Sequence, residues 1–423
     1  MAPPSHALAS PASQGQVRSV SDSHPQTSRI ASVDILRGAV MVIMALDHTR
    51  HFFTGFNFEP EDLAHTSGSL FFARWITHFC SPVFFLLAGT GAYLAVSHGK
   101  PLAEVSRFLW TRGLWLIFLE ATVVGYSWTF VFPFVHGGVI WALGWSMIAM
   151  AVIVRLPIPW IGGLGAGMIL THNLFDRVPP AAFGKLSWIW SILHCPGSIR
   201  IGSGGGGFLV AFPLIPWVGV MATGYALGAM LQRQDRRKLL FLIGATLSLA
   251  FFSLRIFNLY GNGAREVQAV LTDSSGPWSI QPTWALTLVS FFNTQKFPPS
   301  LQFLLMTLGP SLMALAWFDG VKTRRGIAGV LLVFGRVPLF YYVLHLFFIH
   351  TLAVWVALVM HQPAAWLLYG GFMLSPFIPP GYGHGLLFTY AMWLITVVLL
   401  YFPCKLFMNF KQQHPGSWWL SYL

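Results

Sequence analysis

Apolar residues run through this chain in long blocks, and polar residues are largely confined to the gaps between them. The blocks fall near residues 32–53, 69–96, 105–128, 138–155, 158–174, 208–231, 238–259, 299–318, 336–360 and 384–404. Each approaches the roughly 20 residues that an α-helix needs to cross a bilayer. The pattern predicts an all-α fold, a polytopic integral membrane helical bundle of 10 transmembrane helices. Residues 364–377, short and flanked by prolines, are expected either to re-enter the bilayer or to add an eleventh, tilted span. Residues 1–28 are rich in Ser, Pro, Ala, Gln and His and lack the apolar run of a secretory signal. They are expected to form a disordered cytoplasmic N-terminal tail, followed by a single transmembrane domain over residues 29–423.

Composition removes the soluble alternative, because 55% of the residues are apolar and only 9% are charged. The net charge of +12 raises the question of nucleic acid. A nucleic-acid binder gathers its Lys and Arg in a patch, whereas here they cluster at the ends of apolar blocks, so no nucleic-acid partner is expected. In a ten-span bundle Arg107, Arg112, Arg233, Arg236, Arg237, Lys238, Lys322, Arg324, Arg325, Lys405 and Lys411 all fall on one side, with Arg18 and Arg29. Basic residues stay on the cytoplasmic side, which places both termini there and puts segments 54–68, 173–207, 260–298 and 361–383 on the far side. Short loops and full-length spans fit a bacterial inner (plasma) membrane. The three cysteines, Cys80, Cys195 and Cys404, are odd in number and far apart, so no disulfide framework is expected. The run Gly204–Gly207 lacks a following Lys-Ser/Thr and reads as a flexible loop rather than a phosphate cradle.

Ionisable side chains inside apolar helices are costly and need a partner or a purpose. The first block holds several. Asp34 and Arg37, three apart, share a helix face and predict an ion pair near the cytoplasmic end. Further on stands Asp47-His48-Thr49-Arg50-His51. The eleven residues from Arg37 to His48 make about three turns, return to within about 20° and rise roughly 16 Å. Both side chains therefore look into one groove, a geometry suited to a long ligand with a phosphate-bearing head and a reactive tail. In the second block, His78 lies roughly 13 Å along the helix from residue 69, at a depth like that of His48. His48 and His78 are expected to face one cavity, with Asp47 or a nearby carboxylate available to orient an imidazole for proton transfer. A lone intramembrane histidine is more often a helix-to-helix hydrogen bond, but the joint placement favours catalysis by His48. A metal at His48 and His51 is disfavoured for want of a third ligand at familiar spacing, so no metal is expected.

Other polar residues are weaker candidates. Arg74 is a candidate oxyanion donor. Lys296, beside Pro298 and Pro299, either holds an anion or anchors a helix end. Glu120 and Arg255 are expected to pair with other buried charges or to line the cavity. His345 and His350 are five apart and do not share a face. Tyr341 lies one turn below His345, which predicts a structural hydrogen bond there.

At these residues the chain resembles a known family. Ser32-Val-Asp34-Ile-Leu-Arg37-Gly38, Ala45-Leu-Asp47-His48-Thr49-Arg50, Phe84-Phe-Leu-Leu-Ala-Gly89 and Phe334-Gly-Arg-Val-Pro338 are similar to the bacterial relatives of heparan-α-glucosaminide N-acetyltransferase. The likeness runs from about residue 29 to the C-terminus, and Arg37 followed by ten residues and His48 is also the pattern of bacterial envelope sugar O-acyltransferases. The chain departs from the heparan enzyme in carrying His48 where that enzyme has an asparagine, and His78 where it has an aspartate. The resemblance implies acyl transfer from cytoplasmic acetyl-CoA, the donor co-substrate, to a sugar amine or hydroxyl on the far side of the membrane. Arg37, paired with Asp34, is then expected to receive the CoA phosphates, while His48, Asp47 and His78 form the catalytic group and Arg74 and Lys296 contact substrate. Expected partners are the lipid bilayer, acyl-CoA and a glycan or lipid-linked sugar; a homodimer is compatible with the sequence. The alternative is a transporter or flippase for a lipid-linked sugar or small anion, in which the same buried charges mark the path.

Overall fold

The structure, a computed structural model, describes residue 1 and residues 30–201, 206–263, 275–321, 325–375 and 377–423. The predicted N-terminal tail, together with Arg18, Arg29, Gly204, Gly205, Lys322 and Arg324, lies outside the described residues.

Each of the ten apolar blocks coincides with a helix. In chain order these begin with α1 (Ala31–Phe53), α2 (Gly68–Ser97), α3 (Leu102–Thr129), α4 (Val139–Ile153) and α5 (Ile158–Thr171). A short helix α6 (Ser187–Leu193) and an antiparallel hairpin of β1 (Gly197–Ile201) and β2 (Gly206–Val210) follow. Then come α7 (Leu214–Met230), α8 (Arg236–Ile256), α9 (Trp284–Phe292), α10 (Leu301–Asp319), α11 (Gly326–Arg336), α12 (Pro338–Val359) and α13 (Leu386–Gln413). Six of them, α2, α3, α8, α10, α12 and α13, are long and apolar enough to cross a membrane. α1 has the length, but Asp34, Arg37, Asp47 and Arg50 dilute its apolarity. Large apolar side chains such as Leu249, Ile256, Val398 and Phe402 point outward from α8 and α13, as expected of surfaces facing lipid.

Sequence chemistry accounts for the irregularities. Pro82 has no N–H to donate and its ring crowds the carbonyl four residues back, which is that of His78. Accordingly α2 tightens into a 3₁₀ turn at Ile76–Phe79 before it resumes as a regular helix. α3 widens into a π turn at Glu120–Val124, a local expansion often found at functional sites. Ser67, Thr283 and Ser300 cap the starts of α2, α9 and α10 by accepting from Leu70, Leu286 and Phe303 N–H groups.

Element ends gather at two opposite faces. At one, Ser32 donates to Asp319, Arg236 pairs with the same carboxylate at 2.9 Å, and Gln232 reaches Ser97 at 3.2 Å. This basic end also holds Arg37, Arg112 and Arg336. At the other, Tyr260 donates to the Leu170 carbonyl, and Asn173 accepts from Leu301 N–H at 2.8 Å. Its organiser is Arg255, which is fully buried. The guanidinium donates to the carbonyls of Gly276, Ser290, Phe291 and Asn293 and to the side-chain oxygens of Asn262 and Gln302. The expectation that Arg255 would pair with a buried charge or line the cavity is thus corrected: neutral oxygens of the 258–302 region satisfy all its donors.

Three further expectations change. Residues 364–377 form two single turns, Ala365–Leu368 and Gly371–Leu374, rather than a span. The glycine run enters β2 at Gly206 and Gly207, so the block predicted as a helix from 208 starts as a strand and turns helical only at Leu214. α9 and α11 were not anticipated. α11 continues almost directly into α12, and the two run beside α1 in the same sense. Gly335 meets Gly38, His345 meets His48, and the His350 ring stacks on Phe52 at 4.4 Å.

Lipid offers no hydrophobic drive for helices to associate, so backbones approach closely where side chains are small. A Cβ on Gly38 would lie 1.9 Å from the Leu331 carbonyl oxygen, and one on Gly89 would lie 1.9 Å from that of Met221. Gly89→Val and Gly38→Val are therefore expected to lower the thermal midpoint in detergent by several degrees, a cost of at least about 1–3 kcal/mol. Gly163→Ala, where a Cβ meets nothing within 4 Å, should leave it unchanged or slightly raised. Equal midpoints for all three variants in a tryptophan-fluorescence melt would refute the close-packing account.

Candidate functional site

The second half of α1, the segment that follows it and the start of α2 are joined by one guanidinium. Arg74 donates from Nη1 to Asp47 Oδ2 at 2.7 Å and from Nε to Glu61 Oε1 at 3.0 Å, and Thr77 Oγ1 accepts a third bond at 3.2 Å. Asp47 also meets Arg50 at 3.4 Å, and His78 Nε2 lies 3.4 Å from Glu61 Oε1. Asn293 Nδ2 donates to the Glu61 carbonyl, tying this group to the segment that carries Lys296. Burial alone would raise the Glu61 carboxyl, but the Arg74 guanidinium beside it prevails and holds it well below the usual carboxylate range.

Next to Asp47 on α1, His48 Nδ1 stands 2.7 Å from His345 Nε2, with both side chains buried. The tautomers follow from the third member. His345 Nδ1 lies 2.9 Å from the Tyr341 carbonyl, which can only accept, so that nitrogen carries the proton. Its Nε2 then accepts, His48 Nδ1 donates, and the bare lone pair is left on His48 Nε2. The Trp128 ring packs edge-on against His48 at 4.9 Å, fixing the imidazole plane.

His48 lines a cavity of about 290 Å³ together with Asp47, Arg74, Glu120, His136 and Lys296. Across from His48, His136 Nε2 lies 3.2 Å from Glu120 Oε1. Burial lowers His136 to about 4. Burial, with Arg74 nearby, lowers the Lys296 ammonium to about 8. A second cavity of about 340 Å³ opens at the basic end, where Arg37, Arg112, Arg336 and Lys411 surround an otherwise apolar throat. Phe84, Val139 and Tyr342 line both cavities and form the wall between them.

The structure brings Asp47, His48, Arg74 and Lys296 to the first cavity but Arg37 to the second, so the single groove expected for Arg37 and His48 is divided by the wall of Phe84, Val139 and Tyr342. Arg37 and Asp34 pair at 3.0 Å; Asp34 is buried beneath that contact and lines neither cavity. Two further expectations are corrected. His78 does not face His48: it lines neither cavity and packs behind Glu61 against Phe303. Asp47 does not orient His48, since its oxygens are taken by Arg74 and Arg50, and His345 does the orienting instead. His345, Glu61, His136 and Arg336 were missed. For Glu61 and His136 the only sequence signal is a titratable residue in a segment flanking an intramembrane charge. His345 carried the weak signal of an intramembrane histidine with Tyr341 one turn away.

The family model described as heparan-α-glucosaminide N-acetyltransferase, catalytic, matches residues 29–257, more than half of the chain. No curated protein matches the chain.

Removing Arg74 leaves two buried carboxylates facing each other, and breaking a buried pair in this way costs about 3–5 kcal/mol. Arg74→Ala should therefore melt far below wild type, and adding Glu61→Gln should recover part of the loss; a melt like wild type for the single variant would contradict the network. Because the folded-state value of Glu61 is depressed, its contribution is complete above the ordinary Glu value of about 4.3 and fades as pH falls toward the folded value. The acid limb of a melting profile should accordingly flatten in Glu61→Gln. Lys296 is protonated below about 8 and neutral above it. Its acetylation by acetic anhydride, followed by mass spectrometry, should be half-maximal near pH 8, and a midpoint near that of a free lysine would show that the cavity does not perturb it.

Proposed function

Because this chain belongs to the family of the heparan-α-glucosaminide N-acetyltransferase catalytic domain, we propose that it transfers an acetyl group from acetyl-CoA, bound at the basic end, to an amine or hydroxyl of a sugar in the histidine-lined cavity. The observation that carries this reading is the pair of cavities abutting at Phe84, Val139 and Tyr342, with cations on one side and a carbonyl-oriented histidine pair on the other. Arg37, Arg112, Arg336 and Lys411 supply charge for the phosphates of CoA. The apolar throat suits the slender pantetheine arm, whose thioester would reach the shared wall.

His48 Nε2, the unprotonated nitrogen, takes the proton from the acceptor as its nitrogen or oxygen attacks the thioester carbonyl. The carbon–sulfur bond then breaks, and the CoA thiolate leaves toward the basic end. His345 acts as a positioning residue, since its bond to the Tyr341 carbonyl determines which nitrogen of His48 is bare. Lys296 and Arg74 provide positive charge near the developing oxyanion. His78 and Asp34 are supporting residues in this scheme. The concentration of Lys and Arg at one end supports a cytoplasmic side for that end and for both termini, and a bacterial inner membrane fits this arrangement.

Purified protein in detergent is expected to bind acetyl-CoA and hydrolyse it slowly. Arg37→Ala and Arg336→Ala should weaken binding at least about tenfold, as loss of a charge-assisted contact requires. His48→Ala should bind normally and lose turnover by about 10²–10⁴. Absence of acyl-CoA affinity in wild type, together with substrate-driven flux in proteoliposomes, would replace this reading with that of a transporter.

A further inference from the structure

A third polar cluster lies apart from both cavities, at the end of the bundle opposite the basic residues. His172 opens the 3₁₀ turn that follows α5, Asp176 ends it, and His194 terminates α6. Both histidines are 1% exposed and Asp176 is 9% exposed. One ligand atom from each of the three lies within 4.8 Å of the other two.

These groups do not satisfy one another. Among the described residues, neither ring nitrogen of His172 or of His194 has a hydrogen-bond partner, and nor does Asp176 Oδ1. His194 Nε2 stands 3.2 Å from Asp176 Oδ1, but the geometry of a hydrogen bond is not met. Leaving a buried polar group unsatisfied costs about 1–3 kcal/mol, and these three residues carry five such atoms, with one atom from each residue gathered into the same small volume. The carboxylate is aimed there by its neighbours. Asn173 Nδ2 donates to Asp176 Oδ2 at 2.8 Å, while Asn173 Oδ1 accepts from Leu301 N–H, which leaves Oδ1 turned toward the imidazoles. An outer residue that holds one carboxylate oxygen so that the other faces two imidazoles is the usual second layer of a metal site.

We propose that His172, Asp176 and His194 bind a divalent transition-metal ion of the zinc class. Two imidazoles and one carboxylate suit such an ion, which takes nitrogen and oxygen donors at about 2.0–2.2 Å. A carbonyl-and-carboxylate cage for calcium or magnesium is absent among the described residues of the cluster. The ion would join the end of α5 to the residue pair His194-Cys195 that leads into β1. β2, paired with β1, continues into Leu209, Ala211 and Phe212 on the wall of the histidine-lined cavity. Asn173 connects the same cluster to the start of α10, just beyond Lys296. The ion therefore acts as a clip that holds two parts of that cavity wall, and the inference stands whether or not the acetyltransferase reading does.

Full-length protein, tag removed and purified in detergent without chelator, is expected to carry about one zinc per chain by plasma mass spectrometry. Stripping with a chelator should lower the melting midpoint, and Zn²⁺ should restore it. Co²⁺ added to stripped protein should give visible d–d absorption that is absent from His194→Ala. Asp176→Asn, which keeps the volume and the Asn173 contact, should weaken Zn²⁺ binding at least tenfold while remaining monodisperse. If either variant fails to fold, wild-type metal content and the Co²⁺ spectrum decide the matter. Wild type that carries no stoichiometric metal and gains no thermal stability from Zn²⁺, Co²⁺, Fe²⁺ or Mn²⁺ would overturn the proposal, as would one metal per chain retained by both variants.

Discussion

Charge neutrality around Arg74 is the constraint on which the histidine-lined cavity depends. A guanidinium in a medium of low dielectric is tolerable only when counter-charges meet it with good geometry. Here Asp47 comes from α1 and Glu61 from the connecting segment, while Arg74 itself comes from α2. None of the three is stable in place without the others. The wall of the cavity therefore holds together as a unit, with α1 registered against α2. The Asn293 bond to the Glu61 carbonyl carries that registration to the segment bearing Lys296.

A second buried arginine solves the same problem differently. Arg255 meets no carboxylate among the described residues; carbonyl and amide oxygens from the far loops converge on it. Carboxylates around Arg74 balance its charge and leave open volume beside it, and that suits a cavity. Carbonyls around Arg255 use up the backbone of an irregular segment that would otherwise be unsatisfied at membrane depth. The two solutions separate a region built for chemistry from a region built for architecture.

Much of the architecture was legible because its cause is local. A span requires about 20 apolar residues, and the chain displays such blocks ten times. Helix α11 escaped notice because its eleven residues are shorter than a span and lean on α1 through a glycine contact that no local pattern announces. His78 was read at a sound depth and a wrong azimuth. The reading assumed 100° per residue, whereas the 3₁₀ turn imposed ahead of Pro82 advances about 120° and swings the imidazole behind Glu61. The partnership of His48 with His345 spans 297 residues and exists only because α1 and α12 run side by side. Periodicity within one helix does not contain it. Glu120 was recognisable as a charge in an apolar block, but its partner His136 returns to it only through the chain reversal after Thr129.

The wall of Phe84, Val139 and Tyr342 between the cavities has an electrical consequence. Membrane voltage barely falls where water fills a cavity, so with both cavities hydrated in an energised membrane most of it would drop across this wall. Moving one unit charge through it would involve about 2.3 kcal/mol for every 100 mV. On the acetyl-transfer reading, the phosphates never make that journey and the migrating acetyl group is uncharged, but a proton held by His48 on one side and a thiolate released on the other set one unit of charge apart across the wall. Such a reaction would sense the membrane potential, its rate differing between energised and de-energised cells.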